Sequence, residues 1–250
     1  MSAYRTGPTP VPVVESERSV SSCTSRNSSS VVCPSNISKD VKEHNFDYFL
    51  VLDFEATCEK ERTPEPQEII EFPVIKVCAK TFDTKAVFHE YVKPEVHPTL
   101  SSFCTELTGI IQDMVDEKPH LNEVLKKFNN WMEEEGLFQS KVKFAFVTCG
   151  DWDLKLMLPK QCSYFGISLP TYMNTWINIK KSFAQTTGIW PKGLIQMLDY
   201  IELDHVGRLH SGIDDCRNIA RILSKLAQRG HVFEINGRLD FRRNNKMFKS

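Results

Sequence analysis

A bias of charge is the first thing this 250-residue sequence lacks: 31 Lys and Arg stand against 32 Asp and Glu, a formal net charge of −1. No overall basic surplus draws the chain to nucleic acid, so any such affinity has to be local. No apolar run reaches the roughly 20 residues that a membrane-crossing helix needs. The N-terminus lacks the apolar core of a secretory signal. Eight cysteines are present, yet there is no C-x-x-C pair and no His/Cys cluster, which excludes a zinc-site spacing. Cys58, Cys78, Cys104, Cys149 and Cys216 fall inside or beside expected core elements. They read as reduced thiols of a cytosolic or nuclear protein, not as a disulfide framework. No internal repeat is present.

Residues 1–45 are rich in Ser, Pro and Val and poor in large apolar residues. Such a segment buries too little surface to offset its ordering entropy, and disorder is expected. Arg5, Arg18 and Arg26 among serines are features of a mitochondrial transit peptide, against which Glu15 and Glu17 stand. Folding is expected from Phe46. Ile69–Lys80 and Ala86–Val92 read as strands that form an antiparallel meander with the first strand. Leu121–Met132 has apolar residues at helical spacing, Val142–Val147 reads as a strand, and Trp152–Leu158 as a helix. Ser163–Leu169 and Asn178–Thr186 are short elements. Leu194–Tyr200 and Asp214–Ala227 read as helices, the latter stopped by Gly230. A basic, frayed tail is expected over 237–250, leaving 46–236 as the folded domain. Strands first, then helices alternating with strands, make the fold class α/β, a mixed sheet flanked by helices.

The chain is organised around Tyr48-Phe-Leu-Val-Leu-Asp-Phe-Glu-Ala-Thr57. Its unbroken apolar run reads as a central strand buried on both faces. Alternate residues of a strand point the same way, so Asp53 and Glu55 share one face at its end. Two buried like charges are unfavourable unless a cation lies between them, and Mg²⁺ takes carboxylate oxygens. Taken alone, the pair is equally readable as two surface acids where a strand meets solvent. Trp152-Asp153 and His210-Ser-Gly-Ile-Asp-Asp215 follow at a distance and complete a set of four acids and one histidine.

In this order, Asp53-Phe-Glu-Ala-Thr-Cys58, Glu68-Ile-Ile-Glu-Phe-Pro73, Phe103-Cys-Thr-Glu-Leu-Thr-Gly-Ile110, Thr148-Cys-Gly-Asp-Trp-Asp153, Trp176-Ile-Asn178 and His210-Ser-Gly-Ile-Asp-Asp-Cys-Arg-Asn-Ile-Ala220 carry a resemblance to the DEDDh 3′→5′ exonucleases, and within them to the Eri-type exoribonucleases. The resemblance implies an RNase H-like exonuclease fold with a five- to six-stranded sheet. It implies hydrolysis of RNA from the 3′ end to nucleoside 5′-monophosphates. It places Asp53, Glu55, Asp153 and Asp215 as ligands of two Mg²⁺, with Mn²⁺ as a substitute, and Glu55 and His210 as catalytic residues. The expected partner is the 3′ end of single-stranded RNA, met by Ala56, Thr57, Phe103, Trp152, Leu154 and His210.

Each assignment has a plainer counterpart. Phe103 and Trp152 are also readable as core residues, and a lone His210 as a surface histidine. Asp151 is assigned to helix capping. Asp214 points about 100° away from Asp215 on a helix, and the family's H-x4-D spacing selects Asp215. Lys180, Lys181, Lys192 and Arg208 are candidate phosphate contacts. Leu209 stands where relatives carry proline before the histidine, which removes a fixed φ from that loop. The competing activities are a single-stranded DNA exonuclease, since the acids do not read the 2′-OH, and an inactive nucleic-acid-binding or interaction module.

Overall fold

The computed structural model describes residues 45–240; residues 1–44 and 241–250, which hold nearly all of the expected disordered segment and most of the expected tail, lie outside the described residues. Strand β1 (Tyr48–Leu52) lies between β3 (Ile69–Cys78), antiparallel to it, and β5 (Phe144–Thr148), parallel to it. Phe49 to Leu52 are fully buried, because both faces of the strand are covered. Leu50, Leu52 and Phe54 join one apolar layer with α2 (Leu121–Glu134) and α3 (Leu158–Tyr164). Phe49 and Val51 join the other, with α4 (Ile179–Thr187), α5 (Leu194–Tyr200) and α6 (Gly212–Gln228). The result is a mixed sheet between two helical layers.

Among the described residues β2 (Glu55–Ala56), β6 (Thr175–Asn178) and β7 (Gly237–Arg238) complete a seven-stranded sheet in the order β2-β3-β1-β5-β6-β7, with β4 (Thr84–Tyr91) also paired on β3. That is one strand more than the five to six expected, and β2 and β7, of two residues each, are too short to show a period. Strand β6 escapes the pattern for the same reason. The folded region runs past the expected boundary at 236: Gly237 pairs with Trp176, and Leu239 is buried in the core. The expected helix at Trp152–Leu158 contains a π turn, Asp153–Met157, which runs into α3. Pro159, two residues past the end of the π turn, has no N–H to give an α-helical ladder, so a widened turn costs little there. The six described cysteines are free.

The N-terminus of α6 touches the end of β1. A Cβ on Gly212 would lie 2.5 Å from the Asp53 carbonyl oxygen and 3.0 Å from Pro73 Cγ. Backbone and a proline ring cannot yield as a flexible side chain does. Gly212→Ala is therefore expected to destabilise the protein by ~1–3 kcal/mol, read from the midpoint of denaturant unfolding.

Candidate active site

Strands β1 and β2 keep one register against β3: Leu52 faces Val74 and Glu55 faces Glu71. The ladder breaks between them, at Asp53 and Phe54. That register sets Pro73 opposite Asp53, and proline offers no N–H to the ladder. The Phe54 N–H turns instead to Asp153 Oδ1, 2.9 Å away. This bond draws the start of the π turn after β5 onto the end of β1. It brings a third carboxylate beside Asp53 and Glu55, which by alternation lie on the α6 side of the sheet.

The fourth carboxylate comes from α6. Asp215 Oδ2 accepts the His210 backbone N–H at 3.0 Å, and Oδ1 lies 3.2 Å from His205 Nε2. Glu55, His210 and Asp215 each offer a ligand atom within 4.8 Å of the others. His210 is exposed and has a left-handed backbone, φ 60°. Asp214 turns to other tasks, accepting from the Arg208 N–H at 2.9 Å and from Arg217 Nη1 at 2.6 Å.

Burial first, then the charges of Asp153, Glu55, Asp215 and Glu71, push the Asp53 carboxyl well above the usual range. Burial, followed by Glu71, Asp215 and Asp153, lifts Glu55 to about 9. Burial lifts Asp153 to about 6 against the opposing pull of the Phe54 N–H, and burial also raises Asp215. Among the described residues no lysine or arginine pairs with Asp53, Glu55 or Asp153. A largely buried cluster of hard carboxylate oxygens with no lysine or arginine against Asp53, Glu55 or Asp153 fits a divalent metal ion.

The model of the exonuclease family RNase_T matches residues 50–223. The chain belongs to this exonuclease family. Human ERI1 exoribonuclease 3 is 55% identical over 190 residues, which are 76% of this chain and 56% of that protein. Human 3′-5′ exoribonuclease 1 is 40% identical over 208 residues, 80% of this chain and 59% of that protein. The chain thus spans little more than half the length of these curated relatives. The nuclease domain of 3′hExo, a DEDDh member solved with rAMP, matches with a TM-score of 0.74 at 39% identity, covering 79% of this chain and all of that one. Exonucleases of the DEDDh kind are metal-dependent, in keeping with the donor set at this site.

The candidate site departs from the sequence-based expectations at its margins. Trp152 is 38% exposed beside Asp153, and Phe103 is half-buried on α1 (Ser102–Thr108), so both leave surface for a ligand. Leu154 does not: it is 1% exposed and packs in the core, because the next position on the turn points inward when Asp153 points at the sheet end. Ala56 is buried at a bulge. The Thr57 N–H donates to the Glu68 carbonyl at 2.8 Å and its hydroxyl accepts from the Glu68 N–H at 3.0 Å, so both secure the strand. Asp151 makes no side-chain cap. It accepts from Trp176 Nε1 and Asn178 Nδ2, at 3.0 and 2.8 Å, and ties the π turn to β6. Lys181 Nζ donates to the Asn236 carbonyl and pairs with Asp151. Arg208 Nη2 donates to the Glu106 carbonyl at 2.6 Å, clasping the histidine loop to α1.

Two residues of the site went unread in the sequence. His205 stands ten positions before Asp215, outside the H-x4-D spacing that His210 satisfies. Glu71 is a fully buried acid at the third residue of an otherwise largely apolar strand, a rare placement that signals a special environment.

Proposed function

We propose that this protein is a metal-dependent 3′→5′ exoribonuclease that takes the 3′ end of single-stranded RNA and releases nucleoside 5′-monophosphates. The observation that carries the reading is the convergence of Asp53, Glu55, Asp153 and Asp215, from three separate chain segments, beside an exposed His210. The four carboxylates would hold two Mg²⁺, or Mn²⁺ in their place. Bound divalent ions supply Lewis acidity for the phosphate and make a water more acidic. His210 accepts a proton from the attacking water, and its backbone N–H keeps Asp215 in place meanwhile. Trp152 and Phe103 offer ring surface to the terminal base, a contact that tolerates any base. RNA as substrate draws support from the exoribonuclease relatives and from the rAMP held by the 3′hExo domain.

End-labelled RNA and DNA oligomers of one sequence, incubated with Mg²⁺ and resolved by length, test this. A ladder shortening from the 3′ end, with 5′-monophosphates as product and RNA preferred, is expected. Preference for DNA would replace the substrate, and no product from either would leave a binding module. Metal dependence has its own expected outcome. Excess chelator abolishes product, Mg²⁺ restores it, and the melting temperature of the chelated protein rises as Mg²⁺ is added, because the ion binds only the folded state tightly. Full activity in excess chelator would contradict the reading.

A further inference from the structure

Glu71 is the acid to which the reaction above gives no task. It is the third residue of β3, 1% exposed, and faces Glu55 across the β2–β3 pair. Carboxylates facing one another across strands repel, and a buried carboxylate needs donors to offset its lost hydration. Glu71 has three. Its Oε2 accepts the Gly212 N–H at 2.9 Å, and its Oε1 accepts the Ile213 N–H at 3.2 Å. The third is His89 Nε2, 2.8 Å from Oε1. Gly212 and Ile213 open α6, where a helix leaves its N–H groups unpaired. The local N-cap residue, Ser211, makes no side-chain cap. The cap of the helix that carries Asp215 therefore comes from a strand 141 residues earlier in the chain. Glycine at 212 lets the two approach, since a Cβ there would sit 3.2 Å from Glu71 Oε2.

We propose that Glu71 is a positioning residue for the hydrolysis proposed above. Its carboxylate pins the first turn of α6 to the sheet. That fixes Asp215 and, through the bond from the His210 N–H, the loop bearing His210, against Asp53 and Glu55. His89, whose ring lies 5.1 Å from that of Tyr91 on β4, orients the carboxylate from the outer side. The inference rests on the exoribonuclease reading for its effect on rate, and on geometry alone for its effect on α6. A different cause for an acid here, extra negative charge to hold the cation, predicts a different result.

The test uses the full chain with Glu71→Ala and Glu71→Gln, and Asp53→Asn as the inactive reference. Glutamine keeps an acceptor oxygen for the helix N–H groups and removes the charge. Positioning predicts that Glu71→Ala lowers kcat by ~10²-fold with KM for labelled RNA nearly unchanged. Glu71→Gln recovers most of that loss. In the metal-free protein, amide exchange at Gly212 and Ile213 quickens ~10-fold or more in the alanine variant and less in the glutamine variant. Parent-like kcat and exchange in a folded Glu71→Ala would overturn the proposal. So would equal loss of kcat in both variants with a matching loss of Mg²⁺ affinity, which would assign Glu71 to charge. If the alanine variant does not fold, Glu71→Gln decides: it supports positioning if kcat stays within ~10-fold of the parent with moderately faster exchange, and overturns it if kcat collapses while exchange is unchanged. A parent that releases no nucleotide would refute the exoribonuclease reading, and the exchange measurement would still decide whether Glu71 pins α6.

Discussion

Asp53→Asn is expected to lower nucleotide release by ~10³-fold or more while making the metal-free protein more stable. The loss follows from the share of a divalent ion in stabilising phosphoryl charge, several kcal/mol at about 1.4 kcal/mol per tenfold in rate. The gain follows from what Asp53 endures without metal: burial, then repulsion from Asp153, Glu55, Asp215 and Glu71. The sign with pH is set by the same shifts. An acid whose folded-state pKa is raised binds more protons folded than unfolded, between its unfolded value near 4 and its folded value. Stability of the metal-free parent therefore falls as pH rises through that window, which for Glu55 extends to about 9. Melting temperatures in chelator at pH 5 and pH 8 should show the parent lower at pH 8, with a smaller drop in Asp53→Asn. Mg²⁺ should restore the parent at pH 8 and the variant much less. Near-normal turnover in the variant would remove the end of β1 from the site.

Asp53 was legible because burial on both faces turns β1 into a continuous apolar run, against which two acids at alternate positions stand out. The stripe Ile219, Ile222, Leu223 and Leu226 made α6 equally plain, since its apolar face covers the sheet. Elements of two to four residues gave no period to read, which hid β2, β6 and β7. Residue type suggests a cap at Asp151, whereas the indole of Trp176 and the amide of Asn178, distant in sequence, compete for the carboxylate and win. The resemblance names Leu154 as a nucleotide contact, but the turn sends consecutive side chains in different directions, and that of Leu154 enters the core. Glu71 was visible as an acid between isoleucine and phenylalanine, but its partners lie on α6 and β4 and only the folded chain supplies them.

His210→Ala should lower the single-turnover rate by ~10²–10⁴-fold, the usual worth of a general base. The bond that holds Asp215 survives the substitution, because it comes from the backbone N–H of this residue. The backbone at 210 is left-handed, which alanine tolerates poorly and asparagine better. His210→Asn should therefore show the same loss of rate with less effect on melting temperature. Affinity for an oligonucleotide at saturating Ca²⁺, and Mg²⁺ affinity, should change far less than the rate in both variants. At saturating Mg²⁺ the rate of the parent should fall on acidification, since a protonated imidazole cannot accept a proton. That limb should flatten in the variants, because the base responsible for it is gone. His205 is the built-in control: it lies against Asp215 at 3.2 Å, so His205→Ala should disturb metal affinity and keep the acid limb. A His210 variant that cleaves at the parent's rate but binds RNA poorly would assign the side chain to holding the substrate. The proton would then have to leave through another group.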